Sequence, residues 1–299
     1  MRLVRAMQAH DLFLAGGGDI LRDNGGIATF SYQVEKLILA VLIGKPVYLL
    51  NVGISRPRRS YSRFVLRWLL PRCAGIVARD HRTVDLCHEF GAGDVVTFAP
   101  DIVSGIAATF PTQAEKDNSV IVALHGDPNV YGGYLLTTAR MRVLASSLDH
   151  LASLGYSIKF LACQRGEVDD HSTSQSIVRM MRYPANILPW TSEPQKIADA
   201  FGAAGLVVAM RLHAAVLAEA YGVPCVTMPY DAKVTEYSER AGHVMLPQDA
   251  LDEKTEGAVT TIVLSTLREG QAGSPQHRKS TSEVRRTIDV SVDRLDMSA

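Results

Sequence analysis

At three places a cationic side chain directly follows a short apolar run that reads as a β-strand. Arg79 follows Ile76-Val77-Ala78, Arg211 and His213 follow residues 206–210, and Lys233 follows residues 225–228 after Tyr230 and Asp231. In open α/β sheets ligands bind beyond the carboxyl ends of the strands, so these positions are better placed for chemistry than the same residues elsewhere. Arg211-Leu212-His213 also opens a run of helix formers, where backbone N–H groups and the helix dipole favour an anion. Arg211 offers a two-pronged grip on a phosphate or carboxylate, and His213 either donates to that anion or moves a proton near neutral pH. The structural alternatives are an Arg211 paired with an acidic neighbour and a His213 bonded to a local carbonyl. Lys233 would neutralise a second anionic oxygen or pair with Glu236 or Asp231. Arg79 either serves a ligand or pairs with Asp80, itself a suitable N-cap for a helix over residues 81–90. Gly16-Gly17-Gly18-Asp19 lets the backbone approach a ligand closely at another strand end.

Other chemistries lack their signatures. The glycines do not form G-x-G-x-x-G, Gly44-Lys45 runs into Pro46 rather than a Walker A sequence, and Gly-x-Ser-x-Gly and H-E-x-x-H are absent. Asp169-Asp170 lacks the spacing of a D-x-D metal clamp, so neither a metal nor an organic cofactor is expected. Cys73, Cys87, Cys163 and Cys225 lie far apart with no C-x-x-C pair, and they read as buried reduced thiols.

The elements that must position these residues alternate from end to end. Short runs rich in Val, Ile and Leu are separated by helix-like stretches, the pattern of parallel sheets covered by helices. Strands are predicted at 12–15, running into the three glycines, and at 46–52, 76–78 and 95–98. A helix over 30–43 is stopped by Gly44. The polar, proline-containing segment 109–118 divides the chain into a first domain over 1–110 and a second over 118–268. The second carries strands at 120–124, 158–163, 187–188, 206–209 and 225–228. Its clearest helix begins near Arg211 and ends at Gly222, before Pro224. Residues 269–299 are a polar segment followed by an apolar stripe at 284, 288, 292 and 295 that suits a docking helix. The expected fold is two Rossmann-like α/β domains facing a cleft.

The chain has 299 residues, 31 basic against 31 acidic, with 47% hydrophobic and 21% charged residues. That composition suits a globular protein and argues against a nucleic-acid coat. Net charge is +3 over the first 118 residues and −3 over the rest. The longest apolar run, 37–43, falls far short of the ~20 residues of a membrane span. Residues 1–10 carry no secretory pattern, so a cytoplasmic location is expected. One dense basic stretch stands out: Arg56, Arg58, Arg59 and Arg63, interleaved with Tyr61. It reads either as a solvated loop or as a surface drawn to an anionic acceptor or to the inner face of the membrane.

Together the landmarks carry a family resemblance. Leu-Ala-Gly-Gly-Gly-Asp (14–19), Gly-Lys-Pro-Val (44–47), Ala-Arg-Asp (78–80), Ala-Pro-Asp (99–101), Arg-Leu-His-Ala (211–214), Gly-Val-Pro (222–224) and Tyr-Asp-Ala-Lys-Val (230–234) occur in this order. The sequence resembles the polysaccharide pyruvyl transferase family over residues 8–242. The resemblance implies a glycosyltransferase-B-like architecture and transfer of pyruvate from phosphoenolpyruvate to a sugar of a surface polysaccharide or its precursor, the acceptor being lipid-linked in one version. Arg79, Arg211, His213 and Lys233 would hold the donor's phosphate and carboxylate, with His213 as the acid that protonates the enol carbon. Gly16, Gly17, Gly18 and Asp19 would line the cleft on the acceptor side. Two departures from the family are visible: the strand, glycine loop and helix that usually precede Ala9 are not found, making the first domain look shortened, and Ala-Leu-His-Gly-Asp (123–127) carries His125 where an arginine is expected. A glycosyltransferase using a nucleotide-sugar and a non-catalytic shortened paralogue are the competing readings.

Overall fold

The computed structural model describes residues 2–23, 26–126, 136–164, 166, 169–189, 191–252 and 257–271. The docking stripe expected after residue 271 lies outside them. The chain divides into two compact units, with the change between Ile102 and Val103. This is earlier than the polar segment at 109–118, and the reason is packing. Val103 and Ile106, in the short turns that follow the boundary, lie against the apolar cluster of the second unit, and the Tyr221 hydroxyl donates to the Phe110 carbonyl at 3.0 Å.

The first unit is a four-stranded parallel sheet, ordered β1 (Phe13–Gly18), β2 (Val47–Val52), β3 (Gly75–Ala78), β4 (Val96–Phe98). Its helices are α1 (Arg2–Gln8), α2 (Ile27–Leu42), α3 (Ser60–Leu69) and α4 (His81–Glu89). In α2 the residues Phe30, Val34, Leu37 and Ala40 are buried at helical spacing. The helix ends where Gly44 takes a φ of 75°, the left-handed conformation anticipated for it. The three glycines are not a loop beyond the strand, as the sequence suggested, but its last residues. Gly16 pairs with Leu50 and Gly18 with Val52. A Cβ on Gly16 would come within 2.7 Å of the Leu50 carbonyl oxygen, so only glycine permits this approach. The helix α1 was not foreseen; its single buried residue, Met7, leaves almost no periodic signal.

The second unit is a six-stranded, wholly parallel sheet. Its strands are β5 (Ser119–Ala123), β6 (Ser157–Phe160), β7 (Asn186–Ile187), β8 (Leu206–Ala209), β9 (Cys225–Thr227) and β10 (Val244–Met245), in the order β10-β9-β8-β5-β6-β7. The covering elements are α5 (Ile106–Thr109), α6 (Thr138–Ser153), α7 (Asp170–Met180), α8 (Pro194–Ala203), α9 (Leu212–Ala220), α10 (Ala232–Ala241) and α11 (Ala258–Gln271). The central strands are buried on both faces. Val120 and Val122 of β5 and Val208 of β8 belong to one apolar cluster, and Ile121, Ala123, Val207 and Ala209 to the other. Helix α9 is buried along most of its length, at Ala214, Ala215, Val216, Leu217 and Ala218, and its alanines let it sit close against the sheet. The strand order runs outward from β5 through β6 to β7, then restarts at β8 on the other side of β5. The carboxyl ends of β5 and β8 are therefore the topological switch point of this sheet, where the crevice of such folds opens.

Candidate functional site

The switch point collects side chains from four strand ends. Leu124, His125 and Gly126 follow β5; Asp170 opens α7, the helix that follows β6; Arg211 is the N-cap residue of α9 after β8; Tyr230, Asp231 and Lys233 lie where β9 passes into α10.

Asp170 is the organising group. It is fully buried, and its carboxylate accepts backbone N–H bonds from Gly126 at 2.9 Å, Cys163 at 3.1 Å and Gln164 at 3.0 Å. It also takes a forked contact from Arg211, Nε to Oδ2 at 3.0 Å and Nη2 to Oδ1 at 2.5 Å. The acid thus ties the ends of β5 and β6 to the start of α9. Gly126 is required for this: a Cβ there would lie 2.4 Å from the Asp169 carbonyl carbon and 2.7 Å from the Asp170 nitrogen. Asp169 itself caps α7 by accepting from the His171 N–H at 2.9 Å.

Arg211 is therefore paired with an acidic residue, the structural alternative for this side chain. Asp170 engages only Nε and Nη2 of a guanidinium with five N–H donors, and its plane is fixed by the fork. The charge of Arg211 also acts on Tyr230. Burial pushes the Tyr230 phenol up to about 12, with the charge of Asp231 adding to it and Arg211 opposing, so Tyr230 is a neutral phenol at physiological pH. Its ring lies 4.6 Å from that of His125, tilted by 53°. Arg211, Asp170, Tyr230 and His125 thus form one connected group.

His213 occupies the second position of α9 and is exposed, two residues beyond Arg211. Lys233 occupies the second position of α10 and is half-buried. The Asp231 carboxylate caps α10, accepting from the N–H groups of Lys233 and Val234 at 2.9 Å each. The start of α9, Arg211, His213 and Lys233 thus stand at one sheet edge together with the carboxylates of Asp170 and Asp231.

The other residues singled out in the sequence belong to the first unit. Arg79 pairs with Asp101 at 2.8 Å, with both side chains nearly buried, at 9% and 8% exposure. The partner expected for it, Asp80, instead caps α4 by accepting from the Thr83 N–H at 2.7 Å. The Arg79 guanidinium lies so close to Gly53 that a Cβ there would come within 3.0 Å of Nε. Arg79 is thus paired with an acidic residue, Asp101 rather than the Asp80 weighed as its partner. At the same sheet edge Gly17 and Gly18 adopt φ of 75° and 84°, and Asp19 accepts from the Ser55 hydroxyl at 2.9 Å. Asn51, with φ of 54°, sits in an irregularity of β2 and binds both the Pro100 carbonyl and the Ile102 N–H at 2.8 Å.

Asp170 and Asp101 are the functional partners the sequence reading did not single out. The available signal was an acidic residue at a helix start or strand end, a common feature that does not name its partner. Among the described residues no three of His, Cys, Asp and Glu converge as metal ligands do. No helix among them is long and apolar enough to cross a membrane.

Comparison with solved structures places the fold. A protein from Listeria monocytogenes described as a UDP-N-acetylglucosamine 2-epimerase superposes with a TM-score of 0.65 at 11% identity, covering 99% of this chain and 79% of that one. The UDP-GlcNAc 2-epimerase of Methanocaldococcus jannaschii gives 0.62 at 11% identity, covering 97% and 80%. The α,α-trehalose 6-phosphate synthase of Burkholderia multivorans gives 0.55 at 14%, covering 99% and 74%. The chain shares their glycosyltransferase-B-like α/β fold with parallel sheets. No curated protein matches it. The model of the family described as polysaccharide pyruvyl transferase matches residues 2–232, more than three quarters of the chain and both sheets as far as the start of α10, and the chain belongs to that family.

Proposed function

We propose that the protein binds phosphoenolpyruvate at the switch point of the second unit and transfers its pyruvyl group to two hydroxyls of a sugar in a cell-surface glycan or its precursor. The observation that carries this reading is Arg211, locked by Asp170 beside the start of α9 in a member of a pyruvyl transferase family. A donor with a phosphate and a carboxylate needs several fixed cations, and the outer edge of Arg211, His213, Lys233 and the α9 dipole supply them. Arg79, neutralised by Asp101, then acts as a positioning residue for the first unit's sheet edge, on which Asp19 and the Gly16–Gly18 strand end are the acceptor-side candidates.

The chemistry balances without a resident cofactor. His213 protonates C3 of the enol, converting the methylene to a methyl group and making C2 electrophilic. One sugar hydroxyl adds to C2 and its proton restores His213. The C2–O bond to phosphate then breaks with its electron pair leaving on phosphate, the second hydroxyl closes the ketal, and its proton departs on the inorganic phosphate. Arg211 and Lys233 stabilise the charge that collects on the departing phosphate.

Transfer of a sugar from a nucleotide-sugar is the second reading. It is favoured by the fold shared with the enzymes named above, and the same cations would meet a pyrophosphate. A thermal-shift panel separates the two, since a ligand at 100 times its Kd adds about 2.7 kcal/mol to the folded state. Phosphoenolpyruvate is expected to stabilise the wild type, and Lys233→Ala to weaken that effect. With acceptor supplied, His213→Ala is expected to lower kcat by about 10²–10⁴-fold, the usual contribution of a general acid. Stabilisation by UDP-N-acetylglucosamine with none by phosphoenolpyruvate would overturn the proposal.

A further inference from the structure

Residues 56–72 contain the arginines 56, 58, 59, 63, 67 and 72, the aromatics Tyr61, Phe64 and Trp68, and no aspartate or glutamate. Helix α3 lies within this stretch and buries Ser62, Val65, Leu66 and Leu69 against the first unit. At about 100° per residue, its outward arc of about 160° runs through Arg63, Arg67, Phe64, Trp68 and Tyr61 in that order. Arginines thus flank one side, aromatic rings the other, and Phe64 stands between them, 71% exposed; Tyr61 is 46% exposed. A helix facing only water gains nothing from a phenylalanine at the centre of its outer face.

The face is held rigidly. Asp23 accepts from the N–H groups of Arg58 and Arg59 at 2.9 Å, fixing the entry to α3, and the Arg59 guanidinium turns inward to the Asp23 carbonyl. The Tyr61 ring meets Phe30 edge-on at 6.1 Å. Arg56 is paired with Glu89, and Arg72 lies over the Trp68 ring at 4.8 Å. Arg63 and Arg67 are both exposed.

We infer that α3 docks the protein on a bilayer surface that carries anionic headgroups. Arginines beside exposed Phe64 and Tyr61 match such a surface in charge and polarity: the cations meet the headgroup phosphates, while these two rings enter the boundary between headgroups and acyl chains, next to Trp68, which is half-buried against the unit's core. A single-stranded nucleic acid would call for a groove with stacking platforms, whereas the outer face of one helix is convex and suits a deformable plane. The inference does not depend on the donor proposed above. It would bring a protein that acts on a glycan precursor to the surface where a lipid-linked acceptor resides.

The test uses the full chain and vesicles of phosphatidylcholine with and without phosphatidylglycerol. Co-sedimentation with the phosphatidylglycerol vesicles is expected, weakened by added salt, with little on phosphatidylcholine alone. Each arginine at such a surface is worth about fivefold in affinity, so Arg63→Ala with Arg67→Ala should weaken binding about 25-fold. Phe64→Ser should weaken it further. Arg182→Ala with Arg268→Ala, a control of equal charge in the second unit, should leave it unchanged. In a Trp190→Phe background, Trp68 emission should shift to the blue on binding, and the variants at residues 63, 64, 67, 182 and 268 should keep the melting temperature of their parent protein, since those side chains are exposed. Three results would overturn the inference: no binding to phosphatidylglycerol vesicles, equal weakening by the control pair, or arginine-dependent binding of RNA without binding of vesicles.

Discussion

Replacing Asp170 by asparagine should destabilise the second unit more than Arg211→Ala does. The carboxylate receives three backbone N–H bonds and a two-point arginine contact while fully buried. An asparagine keeps one acceptor oxygen and places an NH₂ group against either a backbone N–H or the guanidinium, donor facing donor. It also leaves Arg211, whose side chain is only 14% exposed, without its counter-charge. Breaking a buried pair in this way costs about 3–5 kcal/mol. For a unit of this size that corresponds to a fall in Tm of roughly 8–16 °C. Arg211→Ala should cost less, because the remaining carboxylate keeps its three N–H donors. Gly126→Ala should resemble Asp170→Asn, since the added methyl must push residues 169 and 170 away from the strand end. Differential scanning calorimetry on the wild type and the three variants measures the transition of the second unit. A fall below about 3 °C for Asp170→Asn, or an equal fall for Arg211→Ala, would show that the carboxylate does not organise this edge. The functional companion is a split in kinetics: Asp170→Asn should raise KM for the donor before the unit unfolds, because Arg211 loses its fixed plane.

Two further outcomes follow from the environments of single residues. Burial pushes the thiols of Cys73 and Cys87 up to about 12 and that of Cys163 up to about 11, the last with Asp170 adding and Arg211 opposing, while Cys225 is raised further still. Native protein at pH 8 should therefore react with a disulfide reagent at least about two hundredfold more slowly than unfolded protein, and one thiol titrating within seconds would contradict the structure. Asp23 has its pKa lowered from 3.8: burial, the largest single influence, opposes ionisation, but the N–H groups of Arg59 and Arg58 and the Arg59 charge outweigh it. A carboxylate with a lowered folded pKa stabilises fully above its unfolded value, and that contribution is lost as pH falls through the folded one. Acid titration of the first unit's stability should therefore be flatter below pH 3.8 in Asp23→Asn than in the wild type, and identical curves would refute the assignment.

The class of fold was legible in the residues alone, as were the strand ends at which the candidate cations stand. Runs of Val, Ile and Leu buried on both faces of a sheet need no alternation, so their spacing against helical stretches was enough to announce parallel sheets; Arg211, His213 and Lys233 were legible because they follow such runs. The boundary between the units was not, because a polar segment marks where a chain can cross solvent, while Val103 and Ile106 reveal their allegiance only through what they pack against. The strand β10, two residues long with both exposed, left no pattern to read. Which acid each arginine meets is set by long-range packing. Asp170 lies 41 residues from Arg211 and Asp101 lies 22 from Arg79, and an ion pair at such separations is set by strand order. The order β10-β9-β8-β5-β6-β7 carries the ends of β5 and β6 to the start of α9; local sequence preferences act over a few residues and do not encode that meeting.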